Sequence, residues 1–127
     1  MFTTTVSIKG TFDIAIARNL IRTQLRAIRK IVPAMSVQTT IALTALGELI
    51  IALELDKAVP VRLQIVECNE HYCFEYSCSI PQIHAKNSSA DRYQTNLEKV
   101  SHTFSLQQNN NDIQIEGSLK LNADGII

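Results

Sequence analysis

The chain has no net charge: twelve lysines and arginines cancel twelve aspartates and glutamates over 127 residues. It therefore has no overall field to draw it onto nucleic acid or an anionic membrane, and any such attraction must be local. Cysteine is scarce, with only Cys68, Cys73 and Cys78, spaced five apart. An odd number at that spacing fits neither a disulfide framework nor the paired CxxC ligands of a zinc site, and predicts ordinary reduced cysteines on strands. The longest apolar run, Leu43 to Leu55, is too short and too acidic to span a bilayer. Met1 to Val6 has neither the basic nor the apolar region of a signal peptide, so a soluble, cytoplasmic protein is expected. Repeats and linker-like stretches are also missing. One domain over residues 1–127 is expected, of a size that buries roughly two thirds of its unfolded surface.

The patterning that is present predicts strand, helix, helix, hairpin, helix, hairpin. Phe2, Thr4, Val6 and Ile8 alternate with polar or small neighbours until Gly10, as in a half-buried strand. A helix follows, capped by Thr11 or Asp13, with Ile14, Ala17, Ile21, Leu25 and Ile28 inside, helped by Leu20 and Val32. Pro33 should stop it, and Ser36 should cap a second helix reaching about Asp56. Val61, Leu63 and Ile65 then alternate along one strand, and Tyr72, Phe74, Tyr76, Cys78 and Ile80 along its partner, with the turn at Cys68 to His71. Gln82 to Asn87 reads as a loop expected to be mobile. Ser88 with Asp91 resembles a capping box for a third helix whose inner face is Tyr93, Leu97, Val100 and Phe104. A strand near Thr103 to Leu106, a turn at Asn109 to Asp112, and a last strand with Ile113, Ile115, Leu119 and Leu121 on one face complete the chain. The fold class is α+β: a two-layer sandwich of a mostly antiparallel, mixed sheet with three helices on one face.

Two features invite a functional reading. Glu48 interrupts a helix that is apolar on nearly every face, where a carboxylate needs a partner, a water pocket or a raised pKa. It is either a working group or a satisfied helix acid bonded to a neighbour. Arg18, Arg22, Arg26 and Arg29, with Lys30, place five of the twelve basic residues on one stripe of the first helix. Such a stripe is a solvated face or a docking surface for an acidic partner, and without interleaved aromatics it does not suit nucleic acid. His71, His84 and His102 share no metal-ligand spacing.

The segments Asp13-Ile14-Ala15-Ile16-Ala17-Arg18 and Thr44-Ala45-Leu46-Gly47-Glu48-Leu49, in this order of elements, resemble the anti-sigma-factor serine kinases and related switch kinases. These belong to the superfamily of ATPases that includes histidine kinases, gyrase and heat-shock chaperones, and the resemblance implies the histidine-kinase-like ATPase fold over almost the whole chain. In that family a helix glutamate orients or deprotonates the attacking hydroxyl, and Glu48 matches it. The asparagine that should follow four residues later to ligand magnesium is Ala52 here, and a methyl group offers a hard cation nothing. The family's adenine-reading acid and its glycines correspond to Glu75, Ser77 and Ser79 in Glu75-Tyr76-Ser77-Cys78-Ser79-Ile80-Pro81. Serine adds a side chain where glycine would let backbone approach the nucleotide. The later glycine-rich segment falls near Gln94, Thr95 and Asn96 and has no glycine.

Three losses in one pocket imply that nucleotide use is gone, because phosphoryl transfer rests on positioning and on the metal. The expectation is a catalytically inactive regulatory protein with no cofactor, acting as a protein-binding scaffold in a partner-switching pathway. Its partner would be a sigma factor or an antagonist domain, with no nucleic acid and no membrane involved, and a homodimer is compatible. One alternative is an active or ATP-sensing serine kinase that keeps Glu48 and takes substitute ligands for ATP and magnesium from His84 to Asn87. Another is a structural module whose edge strands self-associate.

Overall fold

The alternating segments assemble into a five-stranded sheet in a computed structural model that describes residues 2–28, 33–68, 71–81, 88–109 and 111–121. The order along the chain is β1 (Phe2–Ile8), α1 (Thr11–Ala27), α2 (Pro33–Ala52), β2 (Val59–Cys68), β3 (His71–Pro81), α3 (Ser88–Val100), β4 (Thr103–Gln108) and β5 (Asp112–Leu121). In space the strands lie in the order β1-β2-β3-β5-β4. Every ladder is antiparallel, so the sheet is not mixed: each strand returns beside its neighbour without a parallel crossover.

Register decides which side of the sheet is buried. Val6 pairs with Val61 and Val61 with Cys78, while Leu63 pairs with Tyr76, Ile65 with Phe74, and Phe74 with Leu119. Side chains directly opposite each other share a face, so these residues form one apolar surface, joined in a single core with Ile14, Ala17, Ile21 and Leu25 of α1, Leu43, Leu46, Leu49 and Ile50 of α2, and Leu97 of α3. The other face is open and polar. The protein is an α+β two-layer sandwich, as the patterning implied.

Local chemistry corrects several boundaries. Gly10, not Thr11 or Asp13, is the N-cap of α1, and it has no side chain to cap with. The Asp13 carboxylate closes the end instead, accepting the backbone N–H of Lys9 at 2.9 Å and of Gly10 at 3.0 Å. Helix α1 ends at Ala27, so Pro33 does not stop it; Pro33 opens α2, where a missing N–H costs nothing. Ser36 accordingly lies inside α2 and is not its cap. The helix closes at Ala52, short of Asp56, because Leu53 and Glu54 bond back to Ile50 and Ile51 and Glu54 takes a left-handed φ of 52°. Ser88 is likewise the first residue of α3 and not its cap. Phe104 lies on β4, half-buried against the core, and not on α3. Of the residues assigned to the inner face of α1, Leu20 is exposed. Arg29, Lys30 and Val32, the turn residues 69 and 70, and the loop 82–87 lie outside the described residues.

Two glycines set close approaches. A Cβ on Gly47 would collide with the side chain of Ile14, so the bare backbone lets α1 and α2 pack together. A Cβ on Gly117 would strike the Tyr76 ring, which crosses β5 to reach Ser101, the two hydroxyls lying 2.6 Å apart. Tyr76 and Cys78 are both held neutral by burial, each pushed up to about 12. Cys73, half-buried, and Cys78, buried, lie on opposite faces of β3.

Candidate functional site

The solvent side of the helix layer holds a groove of about 660 Å³ between α2 and α3. Helical spacing puts Ile41, Thr44, Ala45 and Glu48 along its α2 wall, and Asn96, Lys99 and Val100 form the α3 wall. Ser101 and His102 close one end. Glu48 is thus on an outer flank of α2 and half-buried, not sunk in an apolar interior. The helix is apolar in composition, yet Val37 and Ile41 stay exposed and Thr40, Thr44 and Glu48 half-buried, because only α1, α3 and the sheet cover it. No hydrogen bond or ion pair holds Glu48 among the described residues. His102 accepts the Lys120 backbone N–H at Nδ1, at 2.8 Å, which ties that ring to the sheet.

Glu75 and Ser77 are elsewhere. They point from β3 to the open face, where cross-strand pairs align two rows over all five strands: Thr3, Gln64, Glu75, Ser118, Thr103, and Thr5, Arg62, Ser77, Glu116, Ser105. Between the rows lies a shallow hollow of about 310 Å³. Glu75 accepts a hydrogen bond of 2.6 Å from Gln64, and Ser79, further along the same face, donates to Asp112 at 2.8 Å. That bond, with Asn109 beside it, holds the pKa of Asp112 below its ordinary value.

The structure therefore brings Glu48 and Ala52 onto one helix but separates them from Glu75, Ser77 and Ser79 by the thickness of the sheet. Gln94, Thr95 and Asn96 are helical, within α3, and only Asn96 lines the groove. The arginine stripe is present as far as it is described. Arg18 reaches across to α2, donating to the Thr44 hydroxyl at 3.4 Å, Arg22 is half-buried, and Arg26 is exposed. Arg29 falls outside the described residues.

Sequence reasoning missed the polar residues that line the groove opposite Glu48, Asn96 and Lys99, since no local pattern links α2 to α3. It also missed Phe12, Ile16 and Leu20, which are exposed at 77%, 38% and 38%. Their i, i+4, i+8 spacing was a readable signal for a second apolar stripe on α1. No family model matches the chain, and no curated protein is detectably similar to it in sequence. Among the described residues no helix is long and apolar enough to cross a membrane, and no cluster of His, Cys, Asp or Glu is placed to hold a metal ion.

Proposed function

We propose that this chain is a catalytically inactive, regulatory relative of the anti-sigma-factor serine kinases, built on the histidine-kinase-like ATPase fold, whose work is to bind a protein partner. The reading is carried by one observation: Glu48 and Glu75, which a bound nucleotide would have to meet together, lie on opposite layers of the sandwich. Ala52 supplies no metal ligand beside Glu48, and on the open face Glu75 already bonds Gln64. The element order strand, helix, helix, hairpin, helix, hairpin supports the kinship with that fold.

The helix layer supplies a protein-binding surface. Arg18, Arg22 and Arg26 run along α1, and the exposed Val37 and Ile41 stand on α2. A basic row near apolar side chains suits an acidic, amphipathic partner, in which charge sets the approach and apolar contact the hold. Related proteins use such a body to hold a sigma factor or an antagonist domain, and a partner of that kind is the natural candidate. A cytoplasmic location follows from this reading.

A second reading, an ATP-sensing kinase, draws on the groove itself, which is large enough for a small molecule and holds Glu48, Lys99 and Asn96. Calorimetry with ATP and magnesium separates the two. The scaffold reading expects no binding by wild type; micromolar affinity that falls on Glu48→Gln would overturn it. Once a partner is in hand, reversing charge with R22E and R26E should weaken its binding in a salt-dependent way, while Glu48→Gln leaves it unchanged.

A further inference from the structure

The open face of the sheet is not flat, and its relief follows from side-chain length. Along one cross-strand row, Arg62 on β2 and Glu116 on β5 are long, while Ser77 between them on β3 and Ser105 beyond them on β4 are short. The next row runs over the same strands from the long Gln64 and Glu75 to the short Ser118 and Thr103. Side chains directly opposite each other share a face, so the short ones make a floor of hydroxyl groups and the long ones its rim. This is the hollow of about 310 Å³. Of its floor, Thr103 and Ser118 bond each other at 2.7 Å, which leaves Ser77 and Ser105 for a ligand.

Charge is divided across the hollow. Arg62 is the single cation among its lining residues, and Glu75 and Glu116 are its anions. Arg62 and Glu116 stand two strands apart, about 10 Å at the backbone, and neither makes a side-chain hydrogen bond or ion pair among the described residues. Glu75 and Glu116 are diagonal neighbours on β3 and β5, roughly 7–8 Å apart. The 2.6 Å bond from Gln64 holds one oxygen of Glu75 and leaves the other open.

We propose that this hollow binds a free α-amino acid as its zwitterion. The Arg62 guanidinium takes the carboxylate, Glu116 and Glu75 take the ammonium, and the hydroxyl floor meets a short polar side chain. The charge pattern selects that class. A phosphate or a dicarboxylate would meet two carboxylates for one guanidinium, and a polyamine would meet the guanidinium at one end. A sugar would find no ring to stack on, because Tyr76 and Phe104 pack against the core on the other face. A zwitterion satisfies both signs at once and bridges two groups that do not reach each other. Because Arg62 and Glu116 stand in water, the affinity is on the order of millimolar. The hollow lies on the other layer from the α2–α3 groove and the arginine row, so it does not depend on how the nucleotide question is answered.

Titrating serine, threonine, asparagine and glutamine in turn, to about 20 mM, into isotope-labelled protein while following backbone amide NMR shifts tests it. At least one of the four should shift the amides of Ser77, Ser105, Glu116 and Gly117 saturably, and leave those lining the α2–α3 groove unmoved. The N-acetyl and carboxamide forms of the same amino acid each lack one charge and should bind roughly tenfold or more weakly. Arg62→Gln and Glu116→Gln alter exposed side chains, so each should keep the native circular dichroism while weakening binding by a similar factor. No saturable shift with any of the four, equal binding of the blocked forms, undiminished binding by either variant, or shifts confined to the groove would each overturn the proposal.

Discussion

On β3 two sets of side chains one residue apart meet opposite surroundings. Phe74, Tyr76, Cys78 and Ile80 enter the helix layer and are buried, while Cys73, Glu75, Ser77 and Ser79 stand on the open face, half-buried or exposed. The alternation along the strand places each set, but what each is worth depends on what the rest of the chain lays over it. On the covered face a lost atom leaves a void, because packed neighbours cannot follow. On the open face water fills the gap.

The largest test of that contrast is Phe74→Ala, which should cost about 3–5 kcal/mol in urea unfolding, while Glu75→Ala on the next residue should cost about 1 kcal/mol or less. Near-equal losses would mean that the open face is covered in solution.

Next comes alkaline pH. Tyr76 and Cys78 titrate in the fold at about 12, above their ordinary values, so each adds stability that is fully present below its unfolded value and is lost as pH rises through the folded one. Stability should fall between about pH 9 and 12, by an amount on the order of a few kcal/mol, and Cys78→Ala should flatten part of that slope. An unchanged slope in this variant would remove Cys78 from the buried set.

A smaller effect sharpens the helix side. Gly47→Ala gains about 1 kcal/mol of helix propensity, but crowding against Ile14 costs about 1–3 kcal/mol, so a net loss near 1 kcal/mol is expected. Pairing it with Ile14→Ala, which removes the Cγ1 and Cδ1 that the new methyl would strike, should cost less than the two single losses added together; an additive double variant would show that the two sites do not touch.

The smallest effect is at acid pH. The backbone N–H groups of Gly10 and Lys9 hold Asp13 below the usual carboxylate range, so its contribution is present above the unfolded value and is lost as pH falls through the folded one. Asp13→Asn should flatten the acid limb of the stability curve in thermal melts below about pH 4, and a wild-type acid limb in this variant would dismiss the cap.

Much of the fold was legible, for a reason visible in particular residues. Val61, Leu63 and Ile65 alternate strictly, and Ile14, Ala17, Ile21 and Leu25 recur at helical spacing, so periodicity alone placed them inside. Leu20 failed because a leucine next to that spacing looks as apolar as one within it, and its exposure depends on nothing packing against the outer flank of α1. Helix ends were less readable. Gly10 and Glu54 act through backbone conformation, and Pro33 stops or starts a helix according to which side of it the chain is already wound. The candidate site was half legible: Glu48 was visible as an acid in an apolar run, but its surroundings were not.

By itself the amino-acid order determined the periods of the elements, hence their type, the inward residues and the two-layer α+β class, because a side chain's local repeat of two or 3.6 is set by backbone geometry alone. Only the tertiary structure decided that Glu48 flanks a groove with Asn96 and Lys99, that Glu75 lies beyond the sheet, and that Arg62 and Glu116 share an open hollow. Those relations join residues distant along the chain, and they exist only once strand register and helix packing have brought the elements together.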